Sequence, residues 1–286
     1  MIHKAKKSLG QNFLKSEPAL RKIVEAGDLK PGDTVLEIGP GKGALTRKLL
    51  ASSCQLIAVE KDYELFGFLK TKFEKEILSG QLKLLNEDIL DFDPLLISPL
   101  AGGEKYKIIA NIPYNITGAI LKKFLTSERQ PERMVLMVQN EVAKRITTPG
   151  PSGERRGGKE SLLSISVKAY GEPKMIMKVP ARYFSPAPKV DSAVILIKNI
   201  SRKNFLPSLN HHPAFGTPPP KGGEGFEQRF WEIVKTGFAH KRKKLSGNLK
   251  ALKNEKFVLP EEMKDKRAED LTLEDWLKLA EEYNPS

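Results

Sequence analysis

Four apolar runs in the first half of the chain end in groups that can hydrogen-bond. "VLEI" runs into "GPGKGALT", which sets Gly39, Gly41 and Gly43 directly before a helical segment. "QLIAV" ends in Glu60, "QLKLL" in "NED" with Asp88, and "YKIIA" in "NIPY", residues 111–114. A strand that only fills a core should end in an ordinary turn. The fourth run instead ends in a hydrogen-bonding amide, Asn111, and an aromatic plate, Tyr114. Glycines at a strand-to-helix turn let a ligand come close to the backbone. An acid about twenty residues further on can accept both hydroxyls of a ribose. Asp88 stands where it could accept the exocyclic amine of an adenine. Together these groups suit a nucleoside-bearing ligand.

Each feature has a plainer explanation. Gly39-x-Gly41-x-x-Ala44 also satisfies the dinucleotide fingerprint, which predicts a dehydrogenase. An ordinary strand-to-helix turn explains the glycines alone, and the acids can be surface residues. Four such groups on one rim are harder to explain that way.

The elements that must position them alternate. "TVLEIG" (34–39), "QLIAVE" (55–60), "QLKLLNED" (81–88), "KYKIIANI" (105–112) and "RMVLMVQN" (133–140) read as strands. "ALTRKLLA" (44–51), "YELFGFLKTKFEKEIL" (63–78) and "TGAILKKFLTS" (117–127) read as helices. This order predicts an α/β fold, a doubly wound parallel sheet with helices on both faces. In such a sheet the carboxyl ends of neighbouring strands line one crevice. "DSAVILIKN" (191–199) reads as a late strand added to it. "TTPGPSGERRGGKE" (147–160) reads as a mobile loop. The proline-rich 201–227 reads as a linker in which His211 and His212 are solvent-exposed rather than metal ligands. "QRFWEIVKTGFAHKRKKLSGNLKAL" and "TLEDWLKLAEEYN" predict a small C-terminal helical domain. The expected domains are 1–200, the linker 201–227, and 228–286.

Composition narrows the class. The chain has 286 residues, 40% of them hydrophobic and 29% charged, as in a globular protein with a sizeable core. Its longest uncharged apolar-leaning run, Ile108 to Leu121, is too short and too polar to span a bilayer. The basic start lacks the apolar stretch of a secretion signal, so a cytoplasmic protein without membrane attachment is expected. One cysteine, Cys54, excludes an internal disulfide and a zinc site built mainly on cysteine; no metal is expected. Lys and Arg number 48 against 35 acids, a net charge of +13 that favours a polyanionic partner, RNA or DNA before membrane. Seven of those cations and no acid lie between Ile233 and Asn254. Lys241, Arg242, Lys243 and Lys244 are at the centre of that stretch and are its candidate phosphate contacts.

In order, "LGQNFL" (9–14), "EIGPGKGALT" (37–46), "VEKD" (59–62), "NEDIL" (86–90), "NIPYNI" (111–116) and "FSPAPKVDSAV" (184–194) resemble the motifs of the ribosomal RNA adenine N6,N6-dimethyltransferases. The resemblance spans the expected catalytic domain and is jointly very specific. It implies a Rossmann-like methyltransferase sheet with S-adenosylmethionine as methyl donor. It also implies that the early segment closes over the cofactor at Asn12 and Leu14. Gly39 and Gly41 then belong to the cofactor loop, with Gly39 at the methionine end. Glu60 falls on the ribose, Asp88 on the adenine, and Asn111 at the reacting end. The chain departs from the family's usual Tyr-Gly-x-Leu-Ser pattern at "GGKESLLSIS", where a Gly-rich insertion precedes it, and its linker is longer.

The resemblance also implies a role for "NIPY". The exocyclic nitrogen of adenine is a poor nucleophile, because its lone pair is delocalised into the ring. Asn111 and the backbone carbonyl of Ile112 can each accept one of its N–H groups, which holds the nitrogen toward the methyl and favours a freer lone pair. Pro113 fixes that backbone. Tyr114 offers a ring face for an extruded base, and Phe184 a second plate on its other side. The implied substrate is small-subunit ribosomal RNA within an immature small subunit, dimethylated at two adjacent adenosines near its 3′ end. The enzyme is expected to be monomeric. Rival expectations are a large-subunit methylase of the antibiotic-resistance type and a non-catalytic RNA-binding assembly factor.

Overall fold

A computed structural model of the chain describes residues 4–97, 105–150, 158–206, 224–252 and 257–283. The first stretch carries β1 (Phe13–Leu14), α1 (Glu17–Gly27), β2 (Thr34–Ile38), α2 (Ala44–Leu50), β3 (Gln55–Val59), α3 (Tyr63–Lys72), α4 (Glu74–Leu78) and β4 (Leu82–Leu85). There follow β5 (Tyr106–Asn111), α5 (Thr117–Leu125), β6 (Arg133–Gln139), α6 (Asn140–Thr147), α7 (Leu162–Lys168), β7 (Glu172–Val179), β8 (Phe184–Ser185) and β9 (Ser192–Lys198). The last helices are α8 (Glu224–Gly237), α9 (Leu245–Leu249), α10 (Glu261–Lys264) and α11 (Leu273–Glu282). The chain divides into two compact units. One comprises Met1–Lys144 with Gly171–Ser201, and the other Arg145–Tyr170 with Arg202–Ser286. The segment Arg145–Tyr170 thus groups with the C-terminal helices, whereas the sequence suggests a first domain running unbroken to residue 200.

In the first unit, β4-β3-β2-β5-β6-β9-β7 form one sheet in that order. Pairs among β2 to β6 are parallel, and β9 runs antiparallel to both β6 and β7. All five residues of β2 are buried, as expected of a parallel strand covered on both faces. Val35, Leu56, Ile109 and Val135 pack into one cluster with Leu20 and Ile23 of α1 and Leu45 and Leu49 of α2. Ser16 caps α1 and Pro18 stands in its first turn, both start signals for a helix that the alternating pattern does not include. Burial of Leu36, Ile38, Ile57 and Ile108 covers the sheet's other face by the period-two rule.

The five early strands and β9 fall where the sequence places them. β7 escapes the pattern because "EPKMIMKV" carries a proline near its start and alternates lysines. It pairs only with β9, and a proline is tolerated at such an edge. The helix expected over 63–78 is broken at Phe73.

Chain order reverses at β2, which has β3 on one side and β5 on the other. The β2–β5 ladder ends at Leu36↔Ile108, so the two strands part before reaching Gly39 and Asn111. The crevice opens at this switch point.

In the second unit, α8 starts at Glu224, inside the expected linker, and Phe205 at the linker's other end is buried. Residues 151–157 and 207–223, with the expected loop tip, His211 and His212, lie outside the described residues. Within "GGKESLLSIS", α7 starts at Leu162, and Ser161 and Ser164 make a capping box. Tyr170 bonds Glu227, which also accepts from Arg202 at 3.0 Å, and Trp231 donates to the Tyr170 hydroxyl at 3.0 Å. The basic stretch is not one helix. α8 ends at Gly237, where a Cβ would lie 2.4 Å from the Trp276 ring, and the Asn248 amide caps the carbonyls of Gly237 and His240. Lys241, Arg242 and Lys243 therefore lie on an exposed turn, with Lys244 as N-cap of α9 and paired to Asp265 at 2.5 Å. Among the described residues no helix is long and apolar enough to cross a membrane.

Candidate active site

Register brings the polar strand ends together. Ile38, Val59 and Leu85 are successive ladder partners, so Gly39, Glu60 and Asn86 leave the sheet side by side. The Gly39 N–H donates to the Val59 carbonyl at 2.9 Å, and the Glu60 N–H to Leu85 at 3.0 Å. Beyond these ends lies a cavity of about 560 Å³. Asn12, Leu14, Gly39, Gly41, Glu60, Asp88 and the whole of Asn111–Tyr114 line it. All of the residues lining it belong to the first unit.

Gly41 has φ +60°, and a Cβ there would sit 3.0 Å from the Phe13 ring of the N-terminal segment. Only glycine takes this turn while leaving that ring in place. Glu60 holds the loop from beside it. Its Oε2 accepts the Gly41 N–H at 3.0 Å and its Oε1 the Asp62 N–H at 2.9 Å, and only 5% of the residue is exposed. Each carboxylate oxygen has a second lone pair, so Glu60 can still accept hydroxyls from the cavity.

Asp88 accepts the Leu90 N–H at 3.0 Å and pairs with Lys61 at 2.5 Å. Burial opposes its ionisation, but the Lys61 bond, the Leu90 amide and the charges of Lys61 and Lys123 hold its carboxyl below the ordinary value. Glu37, an acid inside an otherwise apolar strand, also lines the cavity. Burial pushes it up to about 8; contacts to Thr46 oppose this and the Glu60 charge adds to it. Its Oε2 is buried and has no hydrogen-bond partner among the described residues.

Asn111 ends β5, and its Nδ2 donates to the Asn12 carbonyl at 3.1 Å. Pro113 follows at ψ 133°, an extended geometry that starts the turn carrying Tyr114. The Tyr114 hydroxyl lies 2.5 Å from Oγ of Ser192, a residue with no exposed surface on β9. Burial raises the Tyr114 phenol above its usual range, and the Ser192 bond opposes this. Phe184 is placed otherwise than expected. It pairs with Leu14 through β1 and β8, is 2% exposed, and packs in the core cluster; its neighbour Ser185 lines the cavity instead. Lys241, Arg242, Lys243 and Lys244 belong to the second unit.

The residues present fit S-adenosylmethionine. Oxygen acceptors on Glu37, Glu60, Asp88 and Asn111 line one cavity, as a cationic ligand carrying amines and hydroxyls requires. The unpartnered Glu37 oxygen and the close glycine turn point the same way.

Residues 2–211 match the family model described as ribosomal RNA adenine dimethylase. The chain is 39% identical to a protein of Dehalococcoides mccartyi (strain CBDB1) named "Ribosomal RNA small subunit methyltransferase A", over 98% of this chain and 89% of that one. Among solved structures, a dimethyladenosine transferase from Plasmodium falciparum shares the fold with a TM-score of 0.68 at 24% identity, covering 93% of this chain and 95% of that one. The 23S rRNA methyltransferase ErmE superposes with a TM-score of 0.65 at 25% identity, over 95% of this chain and 99% of that one.

Proposed function

The chain belongs to the ribosomal RNA adenine dimethylase family, and on that premise we propose that it dimethylates N6 of two adjacent adenosines near the 3′ end of small-subunit ribosomal RNA. The observation that carries this reading is the meeting of Glu60, Asp88 and Asn111, from three strand ends, on one cavity. S-adenosylmethionine, when bound, supplies an electrophilic methyl on sulfur. Glu60 would hold its ribose and Asp88 its adenine amine, with Gly39 and Gly41 giving backbone access and Asn12 and Leu14 covering it. The dehydrogenase reading leaves "NIPY" without a task.

On the same cavity Asn111 Oδ1 and the Ile112 carbonyl would accept the two N–H groups of the target amine. This fixes the nitrogen at short range to the methyl, so that rate enhancement comes mainly from positioning. Tyr114 would stack on the extruded base. Its hydroxyl bond to Ser192 anchors the outer end of the ring. With Phe184 buried, the second plate would need that side chain to turn out of the core when the base enters. No strong general base is required, because the methylated amine is acidic enough to lose its proton afterwards.

Relatives named for the small subunit at 39% identity, against 25% for ErmE, favour the small-subunit substrate over the large. The exposed basic turn at Lys241–Lys244 supports contact with RNA phosphates on an immature subunit, read largely by shape. A cytoplasmic monomer is the simplest form of such an enzyme. Undermethylated small subunits incubated with labelled S-adenosylmethionine should yield dimethyladenosine on digestion. If the digest lacks it, the proposal fails. Cofactor binding without any transfer would favour an assembly factor, and resistance conferred on a sensitive host would favour the large-subunit type.

A further inference from the structure

Asp62, two residues beyond Glu60, is 2% exposed and ties the N-terminal segment to the cavity wall. Its Oδ2 accepts Gln11 Nε2 at 2.8 Å. Its Oδ1 accepts Lys6 Nζ at 2.9 Å and the Glu64 N–H at 3.0 Å. The Lys6 N–H in turn donates to Gln11 Oε1 at 2.8 Å. Burial opposes ionisation of Asp62, but Lys6, Gln11 and the Glu64 amide together hold its carboxyl below the usual range. Asp62 also donates its own N–H to Glu60, which holds Gly41. One hydrogen-bonded chain thus runs from Gln11 through Asp62 and Glu60 to the glycine loop.

On the far side of the same segment, the Asn12 carbonyl accepts Asn111 Nδ2. A primary amide has one accepting and one donating end. Committing the donating end to Asn12 leaves Oδ1 as the end that can accept an N–H in the cavity. Rotated by half a turn, the same amide would present its –NH2 to the substrate amine, donor against donor. The orientation that chemistry needs is therefore set by a main-chain carbonyl on a segment held after Asn12 by the pairing of β1 with β8 and before it by Asp62.

We propose that Gln11 and Asp62 are positioning residues for the reaction: their bond keeps residues 6–12, the part of the segment before β1, against the cavity, so that the Asn12 carbonyl orients the Asn111 amide. This rests on the proposed function. Neither side chain needs to touch the reacting atoms. Loss of the bond loosens the part of the segment before β1, which lets the cofactor leave faster and the Asn111 amide turn.

The test compares the unaltered chain with Gln11→Ala. It uses the release of labelled S-adenosylmethionine into excess unlabelled cofactor and single-turnover methyl transfer to saturating undermethylated subunits. Losing a hydrogen bond to a charged group predicts release about tenfold faster and transfer about tenfold slower. KM for the subunit should be unchanged. A purely structural role would lower the melting temperature and leave the transfer rate of the folded fraction intact. The exchange Gln11→Glu with Asp62→Asn trades donor for acceptor across the same pair, and the amide oxygen it introduces can still accept from Lys6 and Glu64. It should recover transfer to within about threefold of the unaltered rate, while each single change stays slow. Unchanged release and transfer in Gln11→Ala would overturn the positioning role, as would a double exchange no better than its singles. If the unaltered chain neither binds cofactor nor transfers methyl, the functional reading itself falls and takes this one with it.

Discussion

Glu60 and Asp88 would both hold the cofactor, yet the structure separates what their removal should do. Glu60→Ala strips the acceptor from two backbone N–H groups, Gly41 at 3.0 Å and Asp62 at 2.9 Å, at a site that is 5% exposed. A buried donor left without a partner costs about 1–3 kcal/mol, so the pair should cost about 2–6 kcal/mol before any ligand is added. That is a large share of the roughly 5–15 kcal/mol typical of a domain. Asp88→Ala removes one amide bond, to Leu90, and a pair with Lys61, whose side chain is 57% exposed. Water replaces both, and the expected cost is about 1 kcal/mol or less. Urea unfolding without ligand measures the stabilities, and titration calorimetry with S-adenosylmethionine measures the affinities. Both variants should bind cofactor weakly, but only Glu60→Ala should unfold early. If the two unfold within about 0.5 kcal/mol of each other, the view that Glu60 organises the glycine loop as well as the ribose site is wrong.

Tyr114→Phe and Ser192→Ala should each slow methyl transfer, and together they should cost about 0.5–1.5 kcal/mol less than the sum, because both break the same bond; a double-mutant cycle on single-turnover rates checks this. Glu37 is raised to about 8, so the folded state keeps a proton that the unfolded chain sheds near pH 4.5. Stability should therefore fall as pH rises from about 4.5 to 8 and level off above, and Glu37→Gln should flatten that slope, a gain on the order of several kcal/mol at pH 9 in paired denaturation curves at pH 5 and 9. Changing Lys241, Arg242 and Lys243 to Glu should leave cofactor affinity intact, weaken subunit binding, and reduce the slope of log affinity against log salt by about 1 for each phosphate no longer neutralised.

How much of the molecule is legible in its sequence follows from the range of the interactions involved. β2, β3 and β5 are mostly apolar because a parallel sheet is covered on both faces, so their ends, and hence Gly39, Glu60 and Asn111, stand out as breaks in a pattern. Glu37 stands out too, as an acid inside such a run, though nothing local reveals that it faces the cavity. β7 carries lysines and a proline because it has only one neighbour, and its pattern is lost for that reason. The basic stretch reads as helix because lysine and arginine are good helix formers, but Trp276, nearly forty residues on, occupies the space that a side chain at Gly237 would need. Ser192 and Asp62 both lie inside recognisable motifs while their roles do not, because Tyr114–Ser192 spans 78 residues and Gln11–Asp62 spans 51. Spacing marks the groups that face the cavity, since each leaves the end of its own strand. The bonds that aim those groups join distant segments, Asn111 to Asn12 and Tyr114 to Ser192, and no local pattern announces them. Variants that break such bonds should therefore change how fast a bound subunit reacts more than how tightly the subunit is held.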